Sequence, residues 1–205
     1  MQGHSVDSKA STYSWIRTSS RSRSNYLENW PLKFLESSLY LKMPKKTLFL
    51  IRHAKAEVFS FLSNDFTRNI LEKGRERAAR IASSLKAEVN LDLHTHVISS
   101  SANRAQQTAA LFCDSISIAP EEIKKRKKIY EAHHLDILKL VNMISDDVDN
   151  LFVFGHNPGL SALTNYLCDS DIDLKTSHVA IISLPEDFTF QNLSGGTAQL
   201  KGIIS

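Results

Sequence analysis

Cysteine, glycine and proline are all scarce in this chain of 205 residues. The two cysteines, Cys113 and Cys168, belong neither to a Cys-x-x-Cys pair nor to a Cys/His ligand spacing, which disfavours a disulfide scaffold and a zinc site. Two free thiols in a reducing compartment are the simpler interpretation. With seven glycines and five prolines against 42% hydrophobic residues, the composition is that of a folded domain, not a disordered chain.

Long apolar runs are missing as well. No stretch approaches the ~20 apolar residues that a membrane-spanning helix needs, and the first residues lack the apolar segment of a secretory signal. We therefore expect a cytoplasmic protein with no membrane partner. At roughly 100–200 residues per domain, the length predicts one domain with room for an appendage.

Positive charge is in excess in only one part of the chain. The net charge is +3, and residues 1–42 account for all of it with six basic and three acidic residues, whereas residues 43–205 hold 19 of each. Because residues 43–205 are formally neutral and show no basic face that argues for nucleic acid, we expect no nucleic-acid partner.

Residues 1–42 also differ in pattern from the rest. The stretch Arg17–Ser24 is polar, basic and of low complexity, and an apolar strand pattern begins abruptly after Met43. Three interpretations stay open: a disordered tail, upstream sequence before a true start at Met43, or an Arg- and Ser-rich targeting peptide. We predict a disordered or non-native extension over 1–42 and a single domain over 43–205.

From Thr47 onward, strand and helix patterns alternate. Apolar runs predict strands at Thr47–Ile51, His96–Ser99, Leu151–Phe154, Val179–Leu184 and Ala198–Ile204, and a further strand ending near Lys128–Tyr130 after a basic run. Apolar periodicity predicts helices at Glu72–Lys86, Asn103–Cys113 and Leu135–Ile144, and another that begins at Pro158. This alternation indicates an α/β three-layer sandwich with a largely parallel central sheet and helices on both faces.

Polar side chains gather where the predicted strands end. Arg52 and His53 follow the first strand, Arg104 follows the second, and His156 follows the strand that ends at Phe154. Arg68 lies between the first strand and the first predicted helix. Ligands of parallel sheets sit at the carboxyl ends of the strands. Guanidinium groups suit phosphate oxygens, and imidazoles supply a nucleophile and a donor. Since fixed cations can stabilise a transferring phosphoryl group, this chemistry needs no metal and no cofactor.

In this order, the motifs resemble the histidine phosphatase superfamily, whose fold is that of cofactor-dependent phosphoglycerate mutase. The closer resemblance is to its small SixA-type phosphohistidine phosphatase branch. The matching stretches are Leu48–Ala56, Ser99–Ala109 and Val153–Ser161, and Thr176–Ile181 resembles the late strand of that branch. The resemblance extends from about residue 46 to the end. Alanine stands where the family often has glycine after the catalytic histidine, a replacement that is ordinary in the small branch.

The resemblance implies a role for each motif residue. His53 would be the nucleophile that becomes phosphorylated, with Arg52 beside it as a phosphate ligand. Arg104 would be the second phosphate ligand, and His156 would donate to a phosphoryl oxygen. Arg68 resembles a further phosphate-contacting arginine of the small branch, within a looser local motif.

The proton donor follows less directly from the motifs. The family places an acid on a loop after a middle strand, and Glu131 is the residue that fits. A surface carboxylate beside the basic run is the competing interpretation of Glu131, and Asp65 is the second candidate for the acid.

These features predict a metal-independent phosphohydrolase that works through a phosphohistidine intermediate on His53. The expected substrate is phosphohistidine in a protein, because little chain is left over for a lid above the pocket. A phosphatase for a small phosphorylated metabolite shares all the motifs and is the alternative. A non-catalytic phosphate-binding module is a third possibility, against which the intact pair His53 and His156 argues.

Overall fold

The computed structural model describes residues 46–60, 64–87 and 94–205. The extension predicted for residues 1–42 lies outside the described residues. The strands are β1 (Thr47–Arg52), β2 (Thr95–Ser100), β3 (Ile123–Arg126), β4 (Asn150–Gly155), β5 (Val179–Ser183) and β6 (Gln199–Ile204). The α-helices are α1 (Glu72–Lys86), α2 (Asn103–Ser115), α3 (His134–Val141) and α4 (Gly159–Cys168).

All six strands form one sheet in the order β3-β2-β4-β1-β5-β6. The first four strands in this order, β3, β2, β4 and β1, run parallel to one another, whereas β5 is antiparallel to both β1 and β6. Every residue of the central strand β4 is buried, as expected of a parallel strand covered on both faces. The predicted largely parallel α/β sheet is confirmed.

The two faces of the sheet carry separate cores because strand side chains alternate. In β1, Leu48 and Leu50 pack with the apolar sides of α3 and α4. Phe49 and Ile51 face the other way and pack with the apolar sides of α1 and α2. Helices therefore cover both faces of the sheet, and the predicted three-layer sandwich is confirmed.

One strand lies earlier in the chain than predicted. The sequence predicted a strand ending near Lys128–Tyr130, but β3 ends at Arg126, and Lys127–Ile129 forms a 3-10 turn. The turn carries Ile129 into full burial. Since β3 pairs only with β2 at the sheet edge, its charged side chains can remain in solvent.

The remaining predicted elements agree with the structure to within a few residues. The largest difference is at α3, which ends at Val141 and not at Ile144, although Ile144 is still 92% buried against the core. In the described part of the chain, no helix combines the length and apolar character needed to cross a membrane.

Candidate active site

The carboxyl ends of three adjacent parallel strands meet at one place. His53 follows β1, Arg104 lies in the first turn of α2 after β2, and His156 follows β4. β4 lies between β1 and β2, and Arg52 pairs with Gly155 across β1 and β4. As a result, the two imidazole rings lie 5.0 Å apart, centroid to centroid.

A cavity of about 360 Å³ opens at this place. The six residues predicted for the site all line it: Arg52, His53, Arg68, Arg104, Glu131 and His156. The other lining residues are Lys55, Ala56, Asp65, Asn157 and Thr176. The fold thus brings every predicted side chain to one cavity, together with Asp65, the second candidate for the acid.

The hydrogen bonds of His53 define which ring nitrogen is free to react. Its Nδ1 lies 2.8 Å from the carbonyl oxygen of Ala54, so this nitrogen carries the proton and donates. Its Nε2 accepts from the Nε–H of Arg104 at 3.3 Å. Burial, opposed by the Ala54 hydrogen bond and helped by the nearby arginines, lowers the pKa of His53 to about 4. At neutral pH the imidazole is therefore uncharged, with the Nε2 lone pair facing a cation.

The backbone around His53 is held from several sides. Its N–H donates to the Gly155 carbonyl at 3.0 Å, and the N–H of Ser177 donates to the Arg52 and His53 carbonyls at 3.1 and 3.2 Å. One residue later, the N–H of Ala54 donates to Thr108 Oγ1 at 2.9 Å. β4, the turn before β5 and α2 thus each fix the position of the histidine.

His156 is held by a serine of β2. Its Nε2 lies 2.8 Å from Ser100 Oγ, which also accepts the N–H of Ala102 at 3.3 Å. The hydroxyl proton is then available to Nε2, which leaves the ring proton on Nδ1. Among the described residues this buried Nδ1 has no partner. Burial lowers the pKa of His156 to about 3, helped by His53 and Arg104. A neutral donor is thus left without an acceptor, a role that a phosphoryl oxygen could fill.

The arginines differ in how far their N–H groups are already used. Arg52 donates through Nη1 to the Leu174 carbonyl at 2.8 Å, while its buried Nε has no partner among the described residues. Arg104 is 96% buried and donates to Asp65 through both terminal nitrogens, to the carbonyl at 2.6 Å and to Oδ2 at 2.8 Å. Arg68 forms an ion pair with Asp65 Oδ1 at 2.6 Å.

Asp65 is the acceptor around which these cations are arranged. Besides the two arginines, the hydroxyl of Tyr130 donates to its Oδ2 at 2.7 Å. Burial raises the pKa of Asp65, but the hydrogen bonds from Tyr130, Arg68 and Arg104 outweigh this effect and lower the pKa to about 2. Asp65 is therefore ionised at neutral pH, which disfavours it as the proton donor.

Tyr130 is a site residue that the sequence did not reveal. Its ring packs edge-on against His156 and Phe66, at centroid distances of 5.5 and 5.0 Å, and lies 5.7 Å from the Arg104 guanidinium. Burial and the hydrogen bond to Asp65 raise its pKa to about 12.

Glu131 follows with a φ of 50°. Such a backbone costs roughly 1–3 kcal/mol in a residue other than glycine and is found preferentially at functional sites.

Side chains of α2 fasten the loop that carries Asp65 and Arg68. The amide of Asn103 donates to the Thr67 carbonyl at 3.0 Å. Gln107 accepts the N–H of Ile70 at 2.9 Å and donates to the Asn69 side chain at 2.8 Å. We call Asn103 and Gln107 the α2 clamp. The only sequence signal for it was the position of Gln107 within the Arg-Ala-x-Gln-Thr motif.

Within residues 46–60, 64–87 and 94–205, no three histidine, cysteine, aspartate or glutamate side chains are grouped so as to hold a metal ion. The cysteines Cys113 and Cys168 are both free, and burial raises the pKa of their thiols to about 12 and about 11.

Two imidazoles and three arginines around one cavity at the strand ends define a site for a phosphoryl group. A model of the histidine phosphatase superfamily (branch 1) matches residues 48–168. The chain therefore belongs to the histidine phosphatase superfamily, and the enzyme class predicted from the motifs, a phosphatase, is confirmed. Comparison with curated proteins gives no significant match.

Several solved structures share the fold. A protein from Agrobacterium tumefaciens assigned as phosphohistidine phosphatase SixA is 22% identical, with a TM-score of 0.65 over 78% of this chain and 97% of that chain. Its counterpart from Nakamurella multipartitia is 23% identical, with a TM-score of 0.64 over 78% and 95%. A phosphoglycerate mutase from Plasmodium falciparum is 14% identical, with a TM-score of 0.53 over 77% and 89%. These similarities confirm the predicted phosphoglycerate mutase-like fold.

Proposed function

We propose that this phosphatase is a metal-independent hydrolase of phosphohistidine in proteins, working through a phosphorylated His53. The observation that carries the proposal is the state of His53. Its Nε2 is unprotonated, faces the Arg104 guanidinium and lines an open cavity. A neutral imidazole among fixed cations is a nucleophile for an anionic phosphoryl group.

In the first step, His53 Nε2 attacks phosphorus in line with the leaving group. A bond from Nε2 to phosphorus forms while the bond from phosphorus to the leaving nitrogen or oxygen breaks. The equatorial oxygens are held by four side chains that line the cavity: Arg52, Arg68, Arg104 and His156. Glu131 donates a proton to the leaving atom. Its support is its place in the cavity wall and its unusual backbone conformation.

In the second step, water hydrolyses phospho-His53. Glu131, left as a carboxylate by the first step, takes a proton from the water as the oxygen attacks phosphorus. Inorganic phosphate leaves, and His53 returns to its neutral form. The same four donors hold the phosphoryl oxygens in both steps, so no metal ion is needed to balance the charge.

The substrate is proposed from the openness of the site and from the similar folds. Lys55 and Glu131, which line the cavity, are both exposed. The cavity is therefore open enough for a phosphohistidine on a protein surface to reach it. Two of the similar structures are assigned as phosphohistidine phosphatases. A small phosphorylated metabolite remains the alternative substrate, because the catalytic residues would be the same.

The test uses a ³²P-labelled phosphohistidine peptide and p-nitrophenyl phosphate, both in EDTA. The unaltered enzyme should hydrolyse both, and an acid-free quench should trap label on His53 alone. His53→Ala should lower turnover by several orders of magnitude, whereas His94→Ala, a change at an exposed histidine, should have no effect. Label on a serine or on Cys113 would contradict the mechanism. Activity that disappears in EDTA and returns with a divalent cation would contradict metal independence.

A further inference from the structure

Five consecutive basic residues lie on the surface next to the active site. We call residues 124–128 the basic segment: Lys124, Lys125, Arg126, Lys127 and Lys128, all of them exposed. Residues 43–205 contain 19 basic residues in total, so about a quarter of them fall within five positions, although residues 43–205 as a whole are formally neutral.

The charge of the basic segment is not neutralised within the described part of the chain. No ion pair joins it to any described carboxylate, although other surface lysines, such as Lys139 with Asp136 and Lys175 with Asp173, do form such pairs. Glu121 and Glu122 precede the segment without pairing with it. Uncompensated charge of one sign produces a local potential that attracts anions.

The basic segment leads directly to the active site. Across β2 and β3, Ser100 pairs with Arg126, and Ser100 holds the imidazole of His156. The chain then turns through Lys127–Ile129 into Tyr130 and Glu131, at the cavity. The basic segment therefore ends three residues before Glu131, which lines the cavity.

Protection of an exposed sheet edge explains only part of this arrangement. Charged side chains on an edge strand discourage pairing with other chains. Here the cations occupy both faces of β3, since alternate side chains point to opposite sides. They also continue beyond the strand, at Lys127 and Lys128, where there is no edge to protect.

We infer that the basic segment docks an acidic surface of the phosphohistidine-bearing protein. The inference rests on the proposed function and adds a feature of the partner: carboxylates close to the phosphorylated histidine. Complementary charge at the rim of a site accelerates association and selects among partners. A small substrate that fills only the cavity does not reach the basic segment, so its turnover is independent of these residues.

Two synthetic phosphohistidine peptides of equal length test the inference, one flanked by Asp and Glu and the other by Ser and Gly. At low salt, kcat/KM should be about tenfold higher for the acidic peptide, since charge steering is worth tenfold or more. The preference should disappear near 1 M salt, where the screening length is about 3 Å. Arg126→Gln/Lys127→Gln/Lys128→Gln should remove the preference and leave p-nitrophenyl phosphate turnover unchanged.

The matched control removes three exposed positive charges elsewhere, on α1: Arg75→Gln/Arg80→Gln/Lys86→Gln. This variant should keep the preference for the acidic peptide. Equal kcat/KM for the two peptides in the unaltered enzyme, or an equal loss of preference in both variants, would overturn the docking role and leave the proposed function intact. If the unaltered enzyme hydrolyses p-nitrophenyl phosphate but neither peptide, the phosphohistidine substrate is wrong, and the docking role is overturned with it.

Salt dependence in the unaltered enzyme provides a measurement that needs no variant. A preference that survives at 1 M salt would show that it does not arise from charge, and would overturn the inference. Single-stranded RNA and vesicles of phosphatidylserine are the remaining probes. Binding of either through Arg126, Lys127 and Lys128, with no preference between the peptides, would assign the basic segment to a different partner.

Discussion

Asp65 determines the state of the cavity before a substrate enters. Its carboxylate accepts hydrogen bonds from Arg104, Arg68 and Tyr130. It therefore balances part of the positive charge of the two arginines. Charge-assisted hydrogen bonds of this kind are roughly twice as strong as neutral ones. An entering phosphoryl group must share these donors with Asp65, and it must also compete with His53 Nε2 for the Nε–H of Arg104.

Glu131→Gln should affect substrates according to their leaving groups. An alkoxide needs a proton as it leaves, so kcat/KM for an alkyl phosphate should fall by ~10²–10⁴-fold, the usual contribution of general acid catalysis. p-Nitrophenolate is a good leaving group, and phosphohistidine can be protonated by solvent, so both should lose little. The measurement is kcat/KM for all three substrates in both proteins.

Asp136→Asn is the control for Glu131→Gln, because Asp136 is an exposed acid on α3 that pairs with Lys139. It should leave all three values unchanged. An equal fall for the three substrates in Glu131→Gln would show that Glu131 does not protonate the leaving group. The assignment would then pass to Asp65, to be tested as Asp65→Asn.

At the scale of elements, α2 does more than supply Arg104. The α2 clamp, Asn103 and Gln107, fixes the loop from Asn64 to Ile70 on the helix. Asp65 and Arg68 belong to this loop. The geometry of the phosphate ligands therefore depends on hydrogen bonds made by two α2 residues that do not themselves line the cavity.

Asn103→Ala/Gln107→Ala should therefore weaken phosphate binding more than it weakens the fold. Hydrogen bonds contribute about 1 kcal/mol each, and about 1.4 kcal/mol corresponds to tenfold in affinity. We expect the inhibition constants of inorganic phosphate and tungstate to rise by about tenfold, with a change in Tm of only a few degrees. Gln106→Ala, which removes an amide bonded to the Ser101 carbonyl and not to the loop, should not raise them. Unchanged inhibition in the double variant would show that the loop does not depend on the clamp.

For the whole molecule, the question is how much of the chain the activity requires. Among the described residues, those that line the cavity lie from Arg52 to Thr176, and both apolar cores are built from residues 48–204. A protein that begins at Met43 should therefore keep the Tm and the kcat/KM of the full chain. Thermal unfolding and p-nitrophenyl phosphate kinetics of the two proteins, side by side, give the answer. A Tm lower by several degrees would show that residues such as Trp15 or Trp30 stabilise the domain.

The sequence predicted the fold and the cavity residues Arg52, His53, Arg104 and His156 because their signals are local, whereas Arg68 and Glu131 followed from the family resemblance. Continuous apolar runs such as Leu48–Ile51 mark buried strands, and each motif follows one of them directly. β3 was misplaced because an edge strand of basic residues has no apolar pattern. The link from Asp65 to Arg104 and Tyr130 joins positions 39 and 65 residues apart. No periodicity or spacing encodes such contacts, which arise only once the loop from Asn64 to Ile70 has settled on α2.

The backbone hydrogen bonds on all sides of His53 have a consequence for how the reaction proceeds. Its N–H is bonded to β4, its carbonyl to the turn before β5, and the next N–H to α2. A nucleophile anchored in this way cannot advance towards its target. The phosphorus atom must therefore move, first from the substrate to the stationary imidazole of His53 and then from that imidazole to water. The distance between the substrate phosphorus and the attacking nitrogen is set by how the substrate docks against this fixed backbone.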